Sequence, residues 1–294
     1  MSVVIEIIGF VGMLTAAHVI IESLRSLTRK KRFAIMWGVT LTLFYGVYVE
    51  PRIQLSGGYH QFADQRTLVG FPRTFDVLSN ALFMLVGTWG LVFLWRPRIH
   101  PSFVKEPERL PYFLFFAGVV LTGIGSAYYH LQPGNSRLSW DLLPMTMSFM
   151  SLLAATIMER ISLRAGLLFL PALVLCGFAS VLYWQFGELR GEGDYRFYLF
   201  AQYFPALAIA AIIILFPPRY TRTSDLFVAF LLYALAKIFE LCDYQIFSLG
   251  GVVSGHSLKH LTAGLACYFI LRMLRLRRKT GSPSSLVNAP ANEN

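Results

Sequence analysis

The sequence predicts an all-α, polytopic membrane protein. Of its 294 residues, 55% are apolar and only 14% are charged, whereas about a quarter of a soluble globular chain is charged. The mean hydropathy is +0.55, and several stretches approach the ~20 apolar residues that cross about 30 Å of hydrocarbon as a helix. These three observations favour one membrane domain that accounts for nearly the whole chain.

Nine candidate spans follow from the breaks between the apolar stretches. Pro97 and Pro101 mark one break, the Pro-Gly-Asn segment 133–135 a second, and Pro217-Pro218 a third. Such residues interrupt helices and favour turns. We expect the spans at about 3–24, 34–50, 76–95, 111–131, 140–158, 165–184, 197–216, 225–242 and 256–274.

The distribution of positive charge predicts how these spans are oriented. The chain has 26 lysines and arginines and a net charge of +10, which in a soluble protein would suggest nucleic-acid binding. Here eighteen of the cations fall on one side of the predicted topology and six on the other. Because lysine and arginine concentrate in cytoplasmic loops, we expect an outside N-terminus, a cytoplasmic C-terminus and no nucleic-acid partner. The short loops favour a bacterial inner (plasma) membrane.

Two polar motifs interrupt these apolar surroundings. The first runs from Ser126 to His130 and is followed by Asp141, and the second contains His256 and His260. The predicted topology places the end of the fourth span, the start of the fifth and the start of the ninth at the same outer face. The third span opens at that face as well, with Asp76, Ser79 and Asn80.

The spacing of the histidines suits a metal site. His256 and His260 are one helical turn apart and share a face, and the topology places His130 at the same depth. Three imidazoles with one open position form the ligand set of a catalytic zinc site, and ionisable groups inside membrane spans are costly and usually functional. The alternative is an interfacial polar cluster that only caps helix ends.

Other polar residues have simpler interpretations. Lys237 and Glu240 lie at the outer end of the eighth span, where their spacing favours a local ion pair or a network behind the site. We expect Asp64 and Arg66 to cap or cover the outer mouth of the bundle. His60 falls in a predicted loop, and we expect it to be solvated.

With these residues in place, the chain resembles the alkaline ceramidase family. That family belongs to the wider CREST group of seven-helix membrane hydrolases, which also includes the adiponectin and progestin-type receptors. The resemblance covers about 76–274, which holds seven of the nine predicted spans. It rests on four motifs in order: Asp76-Val77-Leu78-Ser79-Asn80, Gly125-Ser126 through His130, Asp141-Leu142-Leu143-Pro144-Met145, and Gly255-His256 through His260.

The resemblance implies a seven-helix ceramidase-like bundle with two extra N-terminal transmembrane helices. The corresponding division of the chain is residues 1–50 for the added helices, 51–75 for an outer loop, 76–274 for the ceramidase-like membrane domain, and 275–294 for a cytoplasmic, disordered tail.

The resemblance also implies roles for the motif residues. Asp141 would act on the zinc-bound water, and Ser126 would stabilise the oxyanion. Zinc would be held by His130, His256 and His260. The supporting polar shell would consist of Asp76, Ser79 and Asn80.

One feature departs from the family. Alkaline ceramidases carry an acidic, calcium-binding segment before their first core helix. Here residues 59–73 contain Asp64 as their only acidic residue. The sequence therefore favours Zn²⁺ and does not favour Ca²⁺.

The implied function is zinc-dependent hydrolysis of a membrane lipid amide from the outer leaflet, in which a zinc-bound water attacks and releases a fatty acid and a sphingoid-type base. The leading alternative is a non-enzymatic membrane receptor or sensor on the same scaffold with a structural zinc, as the receptors in the wider group suggest. A transporter is less favoured, because the inner half of the bundle lacks the intramembrane charges that would complete a path and no internal repeat is evident.

Overall fold

The described residues of the computed structural model form ten α-helices and two short 3₁₀ turns, in addition to a helical stretch at 19–26. The structure describes residues 19–68, 70–96 and 102–281. Among them no strand occurs, and only two isolated bridges are present. The helices are α1 (Arg29–Val49), α2 (Thr74–Leu78), α3 (Ala81–Trp95), α4 (Arg109–Leu131), α5 (Asn135–Arg160), α6 (Leu163–Glu188), α7 (Arg196–Leu215), α8 (Thr223–Leu241), α9 (Asp243–Ser248) and α10 (Gly255–Leu276).

Within the described ranges, six helical segments are long and apolar enough to cross a membrane, which makes this a multi-pass membrane protein. Their outward faces expose large apolar side chains such as Leu85, Leu168 and Leu207, as expected where lipid replaces water around the bundle. The six segments are Arg29–Val49, Thr74–Trp95, Glu106–Leu131, Asn135–Arg160, Leu163–Glu188 and Arg196–Leu215.

The remaining three predicted spans have different outcomes. The spans predicted at 225–242 and 256–274 are the helices α8 and α10, which pack into the bundle. Both carry several charged or polar residues: α8 contains an Asp, a Lys and a Glu, and α10 contains two His, a Lys and two Arg. The span predicted at 3–24 lies largely outside the described residues.

The long helices from α3 to α10 pack around a shared interior. Helix α4 packs between α3 and α5, helix α5 also contacts α6 and α7, and α10 contacts α3 and α8. Helices α7 and α8 are consecutive in the chain, yet they do not pack closely along their lengths. Helix α1 packs on α7 and has no buried residue. The backbones of α7 and α8 are therefore separated by a gap, which side chains bridge where Gln202 donates to the Tyr233 hydroxyl at 3.1 Å.

Basic side chains collect at the end of the bundle where α7 ends. Arg25, Arg32 and Arg160 donate to the carbonyl oxygens of Ile214, Leu215 and Phe216, respectively. These arginines belong to segments that the charge distribution placed on one side of the membrane, so the structure brings those segments to a common end.

The predicted tail begins later than residue 275. Helix α10 continues to Leu276, and Arg277 is buried and donates to Glu159 at 2.5 Å. The Arg277 guanidinium also lies over the rings of Phe103 and Tyr220. Residues 282–294 lie outside the described residues.

Candidate metal centre

Three histidine side chains from two helices meet inside the bundle. His130 lies in the last turn of α4, while His256 and His260 lie near the start of α10. All three imidazoles are buried, and one nitrogen of each lies within 4.8 Å of the other two. The structure thus brings together the three histidines that the sequence singled out, and the group can hold a metal ion.

The spacing of the imidazole nitrogens fits a tetrahedral ion. The Nε2 atoms of His130 and His256 are 3.2 Å apart. Two nitrogens that bind one tetrahedral zinc at ~2.0–2.1 Å are separated by about 3.3 Å. Nε2 of His260 is buried and has no hydrogen-bond partner among the described residues, so it is available to the same ion. The residues therefore fit the implied metal.

A hydrogen bond from α2 orients one of these imidazoles. The Ser79 hydroxyl lies 2.9 Å from Nδ1 of His260, which directs Nε2 towards the other two histidines. Metal-binding histidines are usually held by such a bond to the second ring nitrogen. The same hydroxyl is 3.1 Å from the carbonyl oxygen of Asp76. Ser79 therefore has the supporting position that the sequence predicted.

Asp76 and Asn80 support the centre less directly. The Asp76 carboxylate accepts hydrogen bonds from the hydroxyls of Ser254 at 3.1 Å and Ser257 at 2.6 Å, which joins α2 to the start of α10. Asn80 donates through Nδ2 to the Asp76 carbonyl oxygen at 2.7 Å. Both side chains are fully buried. They fix the register of α2 against the helix that carries two of the histidines.

The start of α10 is capped without the histidines. The Ser254 hydroxyl accepts from the Ser257 amide at 3.0 Å, and the Asp243 carboxylate accepts from the His256 amide at 2.8 Å. These bonds satisfy amides that the first turn of a helix leaves unpaired. Because Ser254 and Asp243 provide the capping, the alternative interpretation of the histidines as end caps loses its main support.

Asp141 and Ser126 lie beside the histidines. Ser126 is on α4 and Asp141 is on α5, and both side chains are buried. The Asp141 carboxylate lies near the Ser126 hydroxyl, which has no hydrogen-bond partner among the described residues. Both residues line the same cavity as His256 and His260. The structure thus brings the two predicted catalytic residues together with the candidate metal ligands.

Two glycines allow the close helix contacts on which this arrangement depends. A Cβ atom on Gly125 would collide with the backbone of Trp140, next to Asp141. A Cβ on Gly255 would collide with the carbonyl oxygen of Phe239 on α8. Each glycine directly precedes a site residue in the sequence. Any larger residue at either position would push the site-bearing helices apart.

The segment between α1 and α2 covers the centre through contacts that no sequence motif indicated. His60 is half-buried, with Nδ1 at 2.8 Å from the Tyr129 hydroxyl and Nε2 at 2.6 Å from Oδ1 of Asn135. The expectation of a solvated His60 is therefore wrong. The Phe62 ring lies 4.6 Å from the His130 ring and 4.4 Å from the His256 ring, measured between centroids. Phe62 thus shields the imidazoles on this side.

Asp64 and Arg66 hold this covering segment in place, close to the role expected for them. Both carboxylate oxygens of Asp64 accept from the Arg66 guanidinium, at 2.8 and 2.6 Å. Arg66 also donates to the carbonyl oxygens of Gly251 and Val252. Burial acts to raise the pKa of Asp64, but its hydrogen bonds from Arg66 outweigh that effect and hold the pKa below its ordinary value. The only carboxylate of residues 59–73 is thus already paired.

A cavity of about 500 Å³ extends from the centre into the bundle. Its polar end includes Ser126, Asp141 and the two histidines of α10, and the rest of its wall is mainly apolar. Along α8 the wall extends from Glu240 to Leu226, a distance of about 21 Å at the rise of an α-helix. One leaflet of a bilayer is ~15 Å of hydrocarbon deep, so the cavity has room for a long acyl chain.

The fold and the site together define an all-helical, multi-pass membrane protein with a buried three-histidine group that can bind a metal ion. The sequence matches no protein-family model and no curated protein. The resemblance to alkaline ceramidases therefore stays an expectation from the sequence motifs.

Proposed function

We propose that this protein is a zinc-dependent, ceramidase-like hydrolase of membrane lipid amides. The observation that carries the proposal is the meeting of three buried imidazoles, a carboxylate and a hydroxyl at the polar end of a long apolar cavity. The imidazoles, the carboxylate and the hydroxyl would each have a function in amide hydrolysis, and the cavity would hold the acyl chain.

The three histidines would hold zinc through their Nε2 atoms. Zinc bound there would supply a Lewis acid and make water nucleophilic near neutral pH. Ser79 keeps the His260 ring oriented for this purpose, and Phe62 limits the access of bulk water. The protein thus contributes the ligand geometry and a dry environment, in which electrostatic interactions are stronger.

Asp141 and Ser126 would handle the proton and the charge that develops on the substrate. Asp141 is the carboxylate at the polar end of the cavity that faces Ser126, and it can accept a proton from water and donate it to the leaving amine. The Ser126 hydroxyl can donate a hydrogen bond to the carbonyl oxygen of the amide as negative charge builds up on it. These two roles complement each other within one reaction.

The cavity would bind the acyl chain and admit the lipid sideways. Its wall contains residues of both α7 and α8, the consecutive helices that do not pack closely. A lipid could therefore enter between these helices from the bilayer without leaving it. This would place the amide at the polar end and the acyl chain along the apolar wall, and hydrolysis would release a fatty acid and an amine.

Turnover of defined lipids by the purified chain tests the proposal. Full-length protein in nanodiscs, loaded with zinc, is incubated with ceramides and other long-chain acyl amides, and fatty-acid release is measured by mass spectrometry. We expect release by the wild type and none by His256→Ala, whereas His60→Ala should retain its zinc. The proposal fails if no acyl amide is hydrolysed or if His256→Ala keeps full zinc and full activity. Turnover by the chain alone would also exclude a purely receptor function.

A further inference from the structure

Three charged side chains form a continuous chain of contacts on the cavity wall. Nζ of Lys237 is 2.5 Å from a carboxylate oxygen of Glu240, and the other Glu240 oxygen is 2.8 Å from Nζ of Lys259. The Lys259 ammonium lies 3.3 Å from Nε2 of His256. Lys237 and Glu240 were expected to form a local ion pair, and the structure adds Lys259 and places all three in the cavity.

This trio has one more positive charge than negative charge. Two ammonium groups share the single Glu240 carboxylate. Two other carboxylates line the same end of the cavity, Asp141 and Asp243. The Asp243 oxygens accept from the backbone amides of His256 and Ala63, and Asp141 faces Ser126. Neither of these two carboxylates forms an ion pair with an ammonium group among the described residues, so Lys237 and Lys259 share Glu240. An anion on a bound ligand would give each lysine a further partner in surroundings where an ammonium group needs one.

The Lys259 ammonium has three protons to donate and two observed partners, Glu240 and Nε2 of His256, so one N–H is spare even without a metal. When Nε2 of His256 binds a metal, its lone pair is no longer available to the ammonium. Lys259 then has Glu240 as its remaining partner among those observed. The free N–H lies beside the polar end of the cavity, where the head of a bound lipid would be.

Lys237 lies where a lipid would enter. Its Nζ is 5.7 Å from the centroid of the Tyr203 ring, across the gap between α8 and α7. Tyr203 and Leu241, which border this gap on the two helices, are exposed on the outside of the bundle. A lipid that moves from the bilayer into the cavity would therefore pass Lys237 first and approach Lys259 afterwards.

We propose that Lys237 and Lys259 bind an anionic group, a carboxylate or a phosphate, on the amine part of the lipid amide. The inference rests on the proposed function, because that function places the amide at the metal centre and the acyl chain along the apolar wall. The preferred substrate is then an acidic acyl amide, and a neutral amide with the same acyl chain binds less well.

Equilibrium binding of two matched lipids tests this assignment. The probes are N-oleoylglycine, which carries a carboxylate, and N-oleoylethanolamine, which is neutral and has the same acyl chain. Binding to the full-length protein in detergent is followed by tryptophan fluorescence with a chelator present, so that no metal-dependent hydrolysis occurs. We expect the acidic lipid to bind about 10-fold more tightly, as a charge-assisted hydrogen bond predicts.

Variants decide whether the two lysines cause the preference. Lys237→Met and Lys259→Met should each reduce it, and the double variant should remove it. Lys237→Arg and Lys259→Arg should keep it, and so should the control Lys105→Met, because Lys105 is an exposed loop residue. Equal affinities in the wild type, or a preference that survives in the double variant, would overturn the inference.

A separate arm distinguishes this inference from the proposed function. Zinc is restored, and turnover of both lipids is measured by fatty-acid release. A wild type that prefers the acidic lipid in binding but hydrolyses neither lipid would refute the hydrolase and leave the anion site intact. Hydrolysis of both lipids with no preference in binding would refute the anion site alone.

Discussion

Nε2 of His130 and Nε2 of His256 lie 3.2 Å apart, although the two residues are separated by 126 positions in the sequence. The contact joins the end of α4 to the start of α10. Both rings are also covered by Phe62, which belongs to neither helix. Three segments that are distant in the chain thus enclose one small volume.

Replacing Ser79 should weaken metal binding without unfolding the protein. Ser79→Ala removes the hydroxyl that holds Nδ1 of His260, and the loss of such a partner typically costs 10–100-fold in metal affinity. Zinc affinity can be measured by competition with a fluorescent chelator. Ser180→Ala is a matched control, because the Ser180 hydroxyl bonds to a carbonyl oxygen of its own helix. Equal zinc affinity in Ser79→Ala and the wild type would contradict the orienting role.

Replacing Asp141 should separate metal binding from catalysis. Asp141→Asn keeps the size of the side chain but cannot act as a base, so we expect turnover of acyl amides to fall by about 10²–10⁴-fold. Zinc content should stay at the wild-type level, because the three histidines are intact. Mass spectrometry of the metal and of the released fatty acid gives both values on one sample. A loss of zinc together with the loss of turnover would assign Asp141 to the metal ligands instead.

A methyl group added at Gly125 should disturb the packing of α4 against α5, next to the metal centre. Gly125→Ala places a Cβ against the backbone of Trp140, and we expect a destabilisation of about 1–3 kcal/mol from the overpacked helix contact. The expected readouts are a lower midpoint of thermal denaturation in detergent and a reduced zinc content. Gly38→Ala is the control, since a Cβ on Gly38 has no neighbour within 4 Å. Comparable melting of the two variants would show that the α4–α5 contact tolerates the methyl group.

The covering segment should loosen in acid. The pKa of Asp64 is lowered from its ordinary value of 3.8, so the folded protein binds this proton less readily than the unfolded chain does. The contribution of the Asp64–Arg66 pair to the stability of the folded protein is therefore fully present above the ordinary pKa. It is lost as the pH falls through the lowered pKa. Hydrogen exchange of residues 59–68 should accelerate over that range.

Asp64→Asn should show this faster exchange already at neutral pH, whereas Asp225→Asn, whose carboxylate binds Arg222, should not. Calcium should leave the exchange of the segment unchanged, because Arg66 occupies both oxygens of Asp64. Calcium-dependent protection of residues 59–68 would contradict this account of how the segment is held.

Local spacing and topology were enough to predict the centre of the site. The interval of one helical turn between His256 and His260 required only an α-helix, and the alternating direction of the spans placed His130 at the same depth. Ser126 and Asp141 followed from the same argument. Their mutual position depends on helix packing at Gly125, which periodicity does not reveal.

Contacts of irregular and distant segments could not be predicted in this way. The covering segment is held by Asp243 and by the carbonyl oxygen of Gly251, which are 180 and 185 residues away from their partners Ala63 and Arg66. No short-range pattern in the sequence encodes such contacts. The spacing within α8 predicted the pair of Lys237 and Glu240. It could not reveal the contact between Glu240 and Lys259, because that contact joins two helices.

The metal content of the purified full-length protein tests the central claim most directly. After loading with zinc and removal of excess metal, elemental analysis should give one zinc per wild-type chain. It should give nearly none for His130→Ala, His256→Ala and His260→Ala, with His60→Ala at the wild-type level. A wild type that retains no zinc, or triad variants that retain as much as the wild type, would contradict the assignment of these three histidines as a metal centre.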